Sequence, residues 1–171
     1  MRGFRHILMA SALALAAMLA GGCGIYSFSG TSIQPDVETI TINYFEYKAE
    51  KVNPALSNQI TEDLRTQFRK MTRLEQVDMD GDLEIVGSIT GYDVSAAAIT
   101  ADEVAARNKL TVTVKVSFTN RKYPEDDLEQ SFTAYEEYDS TQSLDSVQDA
   151  LCAEIVKKLV EDIFNATVAQ W

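Results

Sequence analysis

Leu110-Thr111-Val112-Thr113-Val114-Lys115-Val116-Ser117-Phe118 alternates apolar and polar residues without a break. A period of two puts Leu110, Val112, Val114, Val116 and Phe118 on one face of a strand, and Thr111, Thr113, Lys115 and Ser117 on the other. A sheet built around this strand is apolar on one side only, so its covering layer belongs on that side alone. Upstream, Leu83, Ile85, Gly87, Ile89 and Gly91 alternate in the same way. Asp82 to Val94 therefore reads as the preceding strand, with Gly87 and Gly91 inward where a packed helix comes close. Ser95 to Ala106 is Ala-rich, carries Asp102 and Glu103 and has no clear period, which suits a long hairpin tip. Downstream, Asn120 to Asp127 holds Tyr123-Pro124 and reads as a turn. Leu128 to Tyr138 then makes a strand with Phe132 and Ala134 inward.

Outside this meander the pattern changes. Val37 to Tyr47 opens the domain as a first strand, with Ile40, Ile42 and Tyr44 on one face. Asn53-Pro54 offers a helix start, because Asn is able to cap and Pro is preorganised for the first helical position. Leu56, Ile60, Leu64, Phe68 and Met71 follow as one apolar stripe, and Arg65, Arg69 and Lys70 lie late in the helix, as its dipole favours. The short Leu74 to Val77 segment leads back to the meander. After Thr141 to Ser146, the residues Leu144, Val147, Leu151, Ile155, Leu159 and Ile163 mark a second helix reaching almost to Trp171. Cys152 flanks that stripe and reads as a buried small hydrophobe. The expected fold is α+β: a two-layer α/β sandwich in the order β-α-β-β-β-α. It has a four-stranded sheet with both helices on one face and the polar face open.

The chain begins differently. Arg2 and Arg5 precede an uncharged apolar run, Ile7 to Ala20, whose fourteen residues rise only about 21 Å as a helix, short of a ~30 Å hydrocarbon core. Leu19-Ala20-Gly21-Gly22-Cys23 closes the run in the pattern of a bacterial lipobox, where the cysteine is acylated and the preceding segment removed. The domain plan is a signal peptide over 1–22, a lipidated N-terminus and tether over 23–36, and one domain over 37–171. Gly24, not Asp, follows Cys23, which by the rule familiar from enteric bacteria directs the protein to the outer membrane, on its periplasmic side. About a dozen residues separate lipid from first strand, an extended reach of ~45 Å.

The whole chain has 171 residues and a net charge of −11. Without residues 1–22, which carry Arg2 and Arg5 and no acid, 149 residues remain with a net charge of −13. Such a balance argues against nucleic-acid binding. The sole histidine, His6, lies in the leader, so the mature chain has no imidazole for a triad or a zinc site. Asp78-Met79-Asp80-Gly81-Asp82 imitates a calcium loop, but the sixth and twelfth positions are Leu83 and Ile89 where Gly and Glu are needed. It reads as a solvated turn. No catalytic or metal constellation emerges, and no cofactor beyond a covalent lipid on Cys23 is expected. The candidate anion-binding residues are Arg65, Arg69 and Arg73, stepping by four along the flank of the first helix and just beyond it, and Arg121 with Lys122 in the turn. Either group fits the phosphates of an anionic glycolipid, but the reading the residues favour is that the first set complements the helix dipole and the second keeps the turn soluble.

Several local motifs together resemble the LPS-assembly lipoprotein (LptE) family, in a divergent branch. They are Cys23-Gly24-Ile25-Tyr26-Ser27-Phe28-Ser29-Gly30, Asn53-Pro54-Ala55-Leu56, Gly81-Asp82-Leu83, Gly87-Ser88-Ile89-Thr90-Gly91-Tyr92, Asn108-Lys109-Leu110-Thr111-Val112-Thr113-Val114 and Phe118. The resemblance implies the same two-helix, four-strand sandwich. It also implies a plug and assembly partner of the outer-membrane barrel LptD, with lipopolysaccharide as the transported glycolipid and binding rather than bond making as the task. A different class fits the same residues: a lipoprotein adaptor or activator of a periplasmic cell-wall enzyme.

Overall fold

The computed structural model describes residues 33–51, 53–97 and 106–168. The strands are β1 (Thr39–Ile42), β2 (Glu46–Tyr47), β3 (Glu75–Gln76), β4 (Leu83–Ala96), β5 (Arg107–Asn120) and β6 (Leu128–Asp139). The helices are α1 (Pro54–Met71) and α2 (Leu144–Val168). The leader, Cys23 and the tether as far as residue 32 lie outside the described residues, as does most of the expected hairpin tip.

The β4-β5-β6 meander is antiparallel, as the alternation predicts, and the inward β5 residues Leu110, Val112, Val114, Val116 and Phe118 are all buried. Both helices pack on that face, and their side chains join the sheet's in a single core. They meet edge-on where the Phe68 and Phe164 rings lie 5.1 Å apart at 70°.

Among the described residues the sheet has six strands in place of the expected four, ordered β3-β1-β4-β5-β6, with β2 also paired to β4. Two short additions make the difference. Leu74 to Val77 is more than a connector: Glu75 and Gln76 pair with Thr39 and Ile40 in parallel as the outermost strand. The expected first strand is also split, since β1 and β2 each pair with β4 but the chain leaves the ladder between them. The cause is Phe45. Its N–H donates to the buried Thr61 Oγ1 at 3.1 Å, and its ring, fully buried, lies over Gly87. Phe45 takes the inward place assigned to Tyr44, which instead is 55% exposed.

Gly87 thus receives a phenyl ring, not a helix. A methyl group there would stand 2.2 Å from Phe45 Cε1. The other inward glycine is displaced as well. A bulge between Ile89 and Gly91 leaves Thr90 without a β5 partner and reverses the alternation beyond it. Tyr92 turns inward, 4% exposed, and its hydroxyl donates to Gln148 Oε1 at 3.0 Å. On α1, Leu56, Ile60, Leu64 and Phe68 are fully buried, while Met71, in the last turn, is 54% exposed. Thr72 closes that helix, its N–H and Oγ1 both bonding the Phe68 carbonyl at 3.0 and 2.8 Å.

Gly87→Ala should therefore destabilise the domain by about 1–3 kcal/mol through overpacking against Phe45. Thermal unfolding of Gly87→Ala, Phe45→Leu and the double variant checks the cause. The double variant should lose less than the sum of the singles, because the smaller side chain gives the new methyl room.

Candidate functional site

The arriving chain is fastened to one end of the sandwich. Gln34 Nε2 donates to Asp126 Oδ2 at 2.9 Å, and Arg73 Nη2 to the Gln34 carbonyl at 3.1 Å. The Tyr123 hydroxyl donates to Asp36 Oδ1 at 2.9 Å, while Lys122 Nζ donates to the Asp36 carbonyl. Asn120 organises the turn that presents these groups, with its N–H on Asp127 Oδ1 at 2.8 Å and its amide on Asp126 Oδ2 at 3.1 Å.

Asp82 ties this turn to β1. Its Oδ2 accepts the Glu38 and Thr39 amides at 2.9 and 3.2 Å, and its Oδ1 meets Lys122 Nζ at 3.1 Å. The Asp82 N–H donates in return to Thr39 Oγ1 at 2.9 Å, and the Gly81 N–H to Thr41 Oγ1 at 3.0 Å. The Glu38 amide, aided by Lys122 and the Thr39 amide, holds the Asp82 carboxyl down to about 2. A side chain at Gly81 would put its Cβ 2.7 Å from the Thr41 nitrogen, so backbone contact itself demands glycine. The acidic run from Asp78 to Asp82 thus ends in a structural junction, not in solvent. The repeated pairing of Thr39 and Thr41 with a Gly-Asp step was the only available signal, and nothing local distinguishes it from an ordinary turn.

The five candidate cations fall into separate groups. Arg121 spans Asp80 at 3.0 Å and Glu84 at 2.9 Å, and Lys122 belongs to the junction above. Arg73 holds the Gln34 carbonyl. Arg65 and Arg69 come together along a polar groove of about 640 Å³ between α1 and the β1–β3 edge, which Tyr44 and Gln76 also line. Arg65 donates to Glu62 Oε1 and to the Ile42 carbonyl, both at 2.8 Å, and Arg69 reaches Gln76 Oε1 at 3.4 Å. Neither Arg73 nor the turn pair lines that groove.

The open sheet face carries hydroxyls and paired charges. Thr113 and Thr133 touch through their Oγ1 atoms at 3.1 Å, Thr90 Oγ1 reaches the Thr113 carbonyl at 3.4 Å, and Lys115 pairs with Glu129. Lys109 Nζ lies 5.1 Å from the centre of the half-exposed Tyr135 ring. On the opposite side of the sheet Cys152 is buried, and burial pushes its thiol up, away from the thiolate a nucleophile needs. Among the described residues no group of three or more His, Cys, Asp or Glu side chains stands where it would hold a metal ion.

These features define a small α+β sandwich with one open, hydroxyl-rich sheet face and its arriving segment fastened to one end. The chain belongs to the LptE lipopolysaccharide-assembly family, whose model matches residues 37–167. That family consists of non-enzymatic assembly lipoproteins of the cell envelope, and no described helix is long and apolar enough to cross a membrane. No curated protein matches the chain. Among solved structures, a hypothetical protein of Chlamydia trachomatis is similar at 10% identity and a TM-score of 0.49, covering 74% of this chain and 92% of that one. Uncharacterized lipoprotein B of Nitrosomonas europaea is similar at 14% identity and a TM-score of 0.46, covering 77% and 85%. A minor lipoprotein of Acinetobacter baumannii is similar at 14% identity and a TM-score of 0.45, covering 70% and 89%. The family assignment rests on the match to its model, not on these likenesses.

The Asp82 junction has a pH signature. Because the folded carboxyl titrates below its ordinary value, it stabilises above about pH 4, and that contribution fades as pH falls toward 2. Asp82→Asn should cost about 1–2 kcal/mol at pH 7, after allowance for solvent screening. The gap from the parent should shrink on acidification, which urea unfolding at pH 7 and at pH 3 measures.

Proposed function

We propose that this chain is an outer-membrane lipoprotein, acylated at Cys23. It acts as the plug and assembly partner of an LptD-type barrel in moving lipopolysaccharide to the cell surface. The observation that carries the reading is the family match over residues 37–167. The fold supports it in a specific way. Its open face carries the hydroxyls of Thr90, Thr113 and Thr133 and charges that are largely neutralised in place. Such a face hydrogen-bonds to the wall of a water-filled barrel without burying unpaired charge. The role is binding and handover, with no chemical step and no cofactor beyond the lipid on Cys23.

Direct contact with lipopolysaccharide is assigned first to Arg65 and Arg69, because their groove is open. All five cations would have to leave the chain's own acceptors before binding a phosphate, and only Arg65 and Arg69 do so side by side in one groove. A tether beginning at Cys23 keeps the domain close to the inner leaflet of the outer membrane, where an integral barrel is within reach.

Affinity purification of the tagged full chain from outer membranes should recover a large β-barrel at equal stoichiometry, and depletion should admit large hydrophobic antibiotics. Recovery of a cell-wall synthase in place of a barrel, from folded protein, would replace this reading with the adaptor alternative. Cys23→Ala should abolish incorporation of labelled palmitate, and retained label would remove the lipid anchor from that cysteine.

A further inference from the structure

The two edges of the sheet are managed differently. At one, β3 is two residues long, and the Ile42 carbonyl on neighbouring β1 is occupied by Arg65 Nη2 at 2.8 Å. At the other, β6 runs for 12 residues and pairs with β5 without a bulge. The direction of its free backbone groups follows from the ladder. The Ala97 N–H donates to the Arg107 carbonyl and the Arg121 N–H to the Asp82 carbonyl, so odd-numbered β5 residues bond toward β4. Even-numbered β5 residues therefore bond β6, and the Ser140 N–H on the Ala106 carbonyl continues that even-numbered set. The hydroxyl contact of Thr113 with Thr133 suits a facing pair that exchanges no backbone bonds.

Glu129, Ser131, Thr133, Tyr135 and Glu137 consequently aim their N–H and C=O groups away from the sheet. Among the described residues only the Tyr135 carbonyl has a partner there, Lys158 Nζ at 3.2 Å. Edges of this length are usually blunted by proline, lysine or a bulge. β6 contains none of the three. Beside it, between strand and α2, lies a notch of about 320 Å³ lined by Thr133, Ala134, Tyr135, Lys158, Glu161 and Asp162. Lys158 is already paired with Glu136 at 2.6 Å. Glu161 and Asp162 are exposed and have no ion-pair partner among the described residues. A second copy of β6, laid antiparallel about Thr133, would set Glu129 opposite Glu137 and oppose like charges. The free carboxylates instead favour a cationic strand.

We propose that the β6 edge is a strand-addition site for an extended basic segment of a partner protein. The segment's backbone pairs with the outward groups of Glu129 to Glu137, and its Lys or Arg side chains meet Glu161 and Asp162. The site goes beyond the barrel assignment and does not depend on it.

The test adds a synthetic peptide of about eight residues, alternating Lys and Thr, to the full chain in detergent and follows amide exchange residue by residue by NMR. Exchange at the Ser131 and Thr133 N–H groups should slow about tenfold or more, while their even-numbered neighbours change little. Thr133→Pro removes an outward donor without touching the β5 ladder. The paired change Glu161→Lys and Asp162→Lys reverses the notch charge. Each should weaken peptide binding about tenfold or more with an unchanged Tm, and the charge reversal still decides if the proline variant fails to fold. The proposal is overturned if the odd-numbered amides are not slowed or if an alternating Glu–Thr peptide binds as tightly. Concentration-dependent protection without peptide also overturns it, since a second copy would then occupy the edge.

Discussion

The carboxylate of Asp82, accepting the Glu38 and Thr39 amides, fixes the parallel alignment of β1 on β4, which no hairpin enforces. β4 with β5 and β5 with β6 are neighbours in sequence and pair antiparallel, and their long alternation sets the register. β1 is different. It lies parallel to β4, and α1, β3 and the Asp78–Gly81 turn separate the two in sequence. A parallel pair of three residues has little strength of its own. The return bonds from Asp82 and Gly81 to Thr39 and Thr41 make the alignment specific. A slip of one residue would send Ile40 and Ile42 to the open face and strand the carboxylate.

The same junction explains which parts of the architecture were legible in advance. Period two along β4, β5 and β6 and the stripes of α1 and α2 each extend over many residues, so they identify the meander, both helices and the polar face. Two-residue strands have no period to read, and β2 and β3 exist because β4 and β1 offer them an edge. The break at Phe45 is decided by Gly87 and Thr61, both remote in sequence, and the alternation of Ile40, Ile42 and Tyr44 runs up to it without a sign of it. The Thr90 bulge is equally silent: Gly91 looks inward by count, yet Tyr92 takes the place. At the candidate site, the cations were legible as residue types but their partners were not. Arg121 resembles a free turn charge until Asp80 and Glu84, some forty positions earlier, are seen to hold it.

Fastening the arriving chain also gives the domain a direction. Gln34 and Asp36 are bound to the turn between β5 and β6 and to Arg73, so residues 34–36 join the end where β4 begins and β5 finishes. The β4-β5 hairpin runs from that end to the opposite one. Ile33, the first described residue of this segment, therefore belongs to the junction end, opposite Ala96 and Arg107 at the far ends of β4 and β5. Loosening the contacts of Asp36 would free this segment without opening the core, because the bonds lie at the surface and, upstream of the buried Val37, only the partly buried Ile33 packs against the core.

Charge ranks the interactions open to such a domain. Lys48, Arg65, Arg107, Lys115, Arg121, Lys122 and Lys158 each already meet a carboxylate of the same chain. The acids outnumber the bases, so those left over set the sign of the outer surface. A phosphate approaching from solvent meets that field first and must then displace a carboxylate or carbonyl to reach a guanidinium, which costs the broken pair and the desolvation of both ions. The Arg65–Arg69 groove lessens that cost through its open access but still holds Glu62 and Glu75. A neutral, hydroxyl-lined wall or a basic strand meets no such opposition. The physical ordering is therefore protein contact ahead of glycolipid contact, consistent with a chain whose family role is assembly.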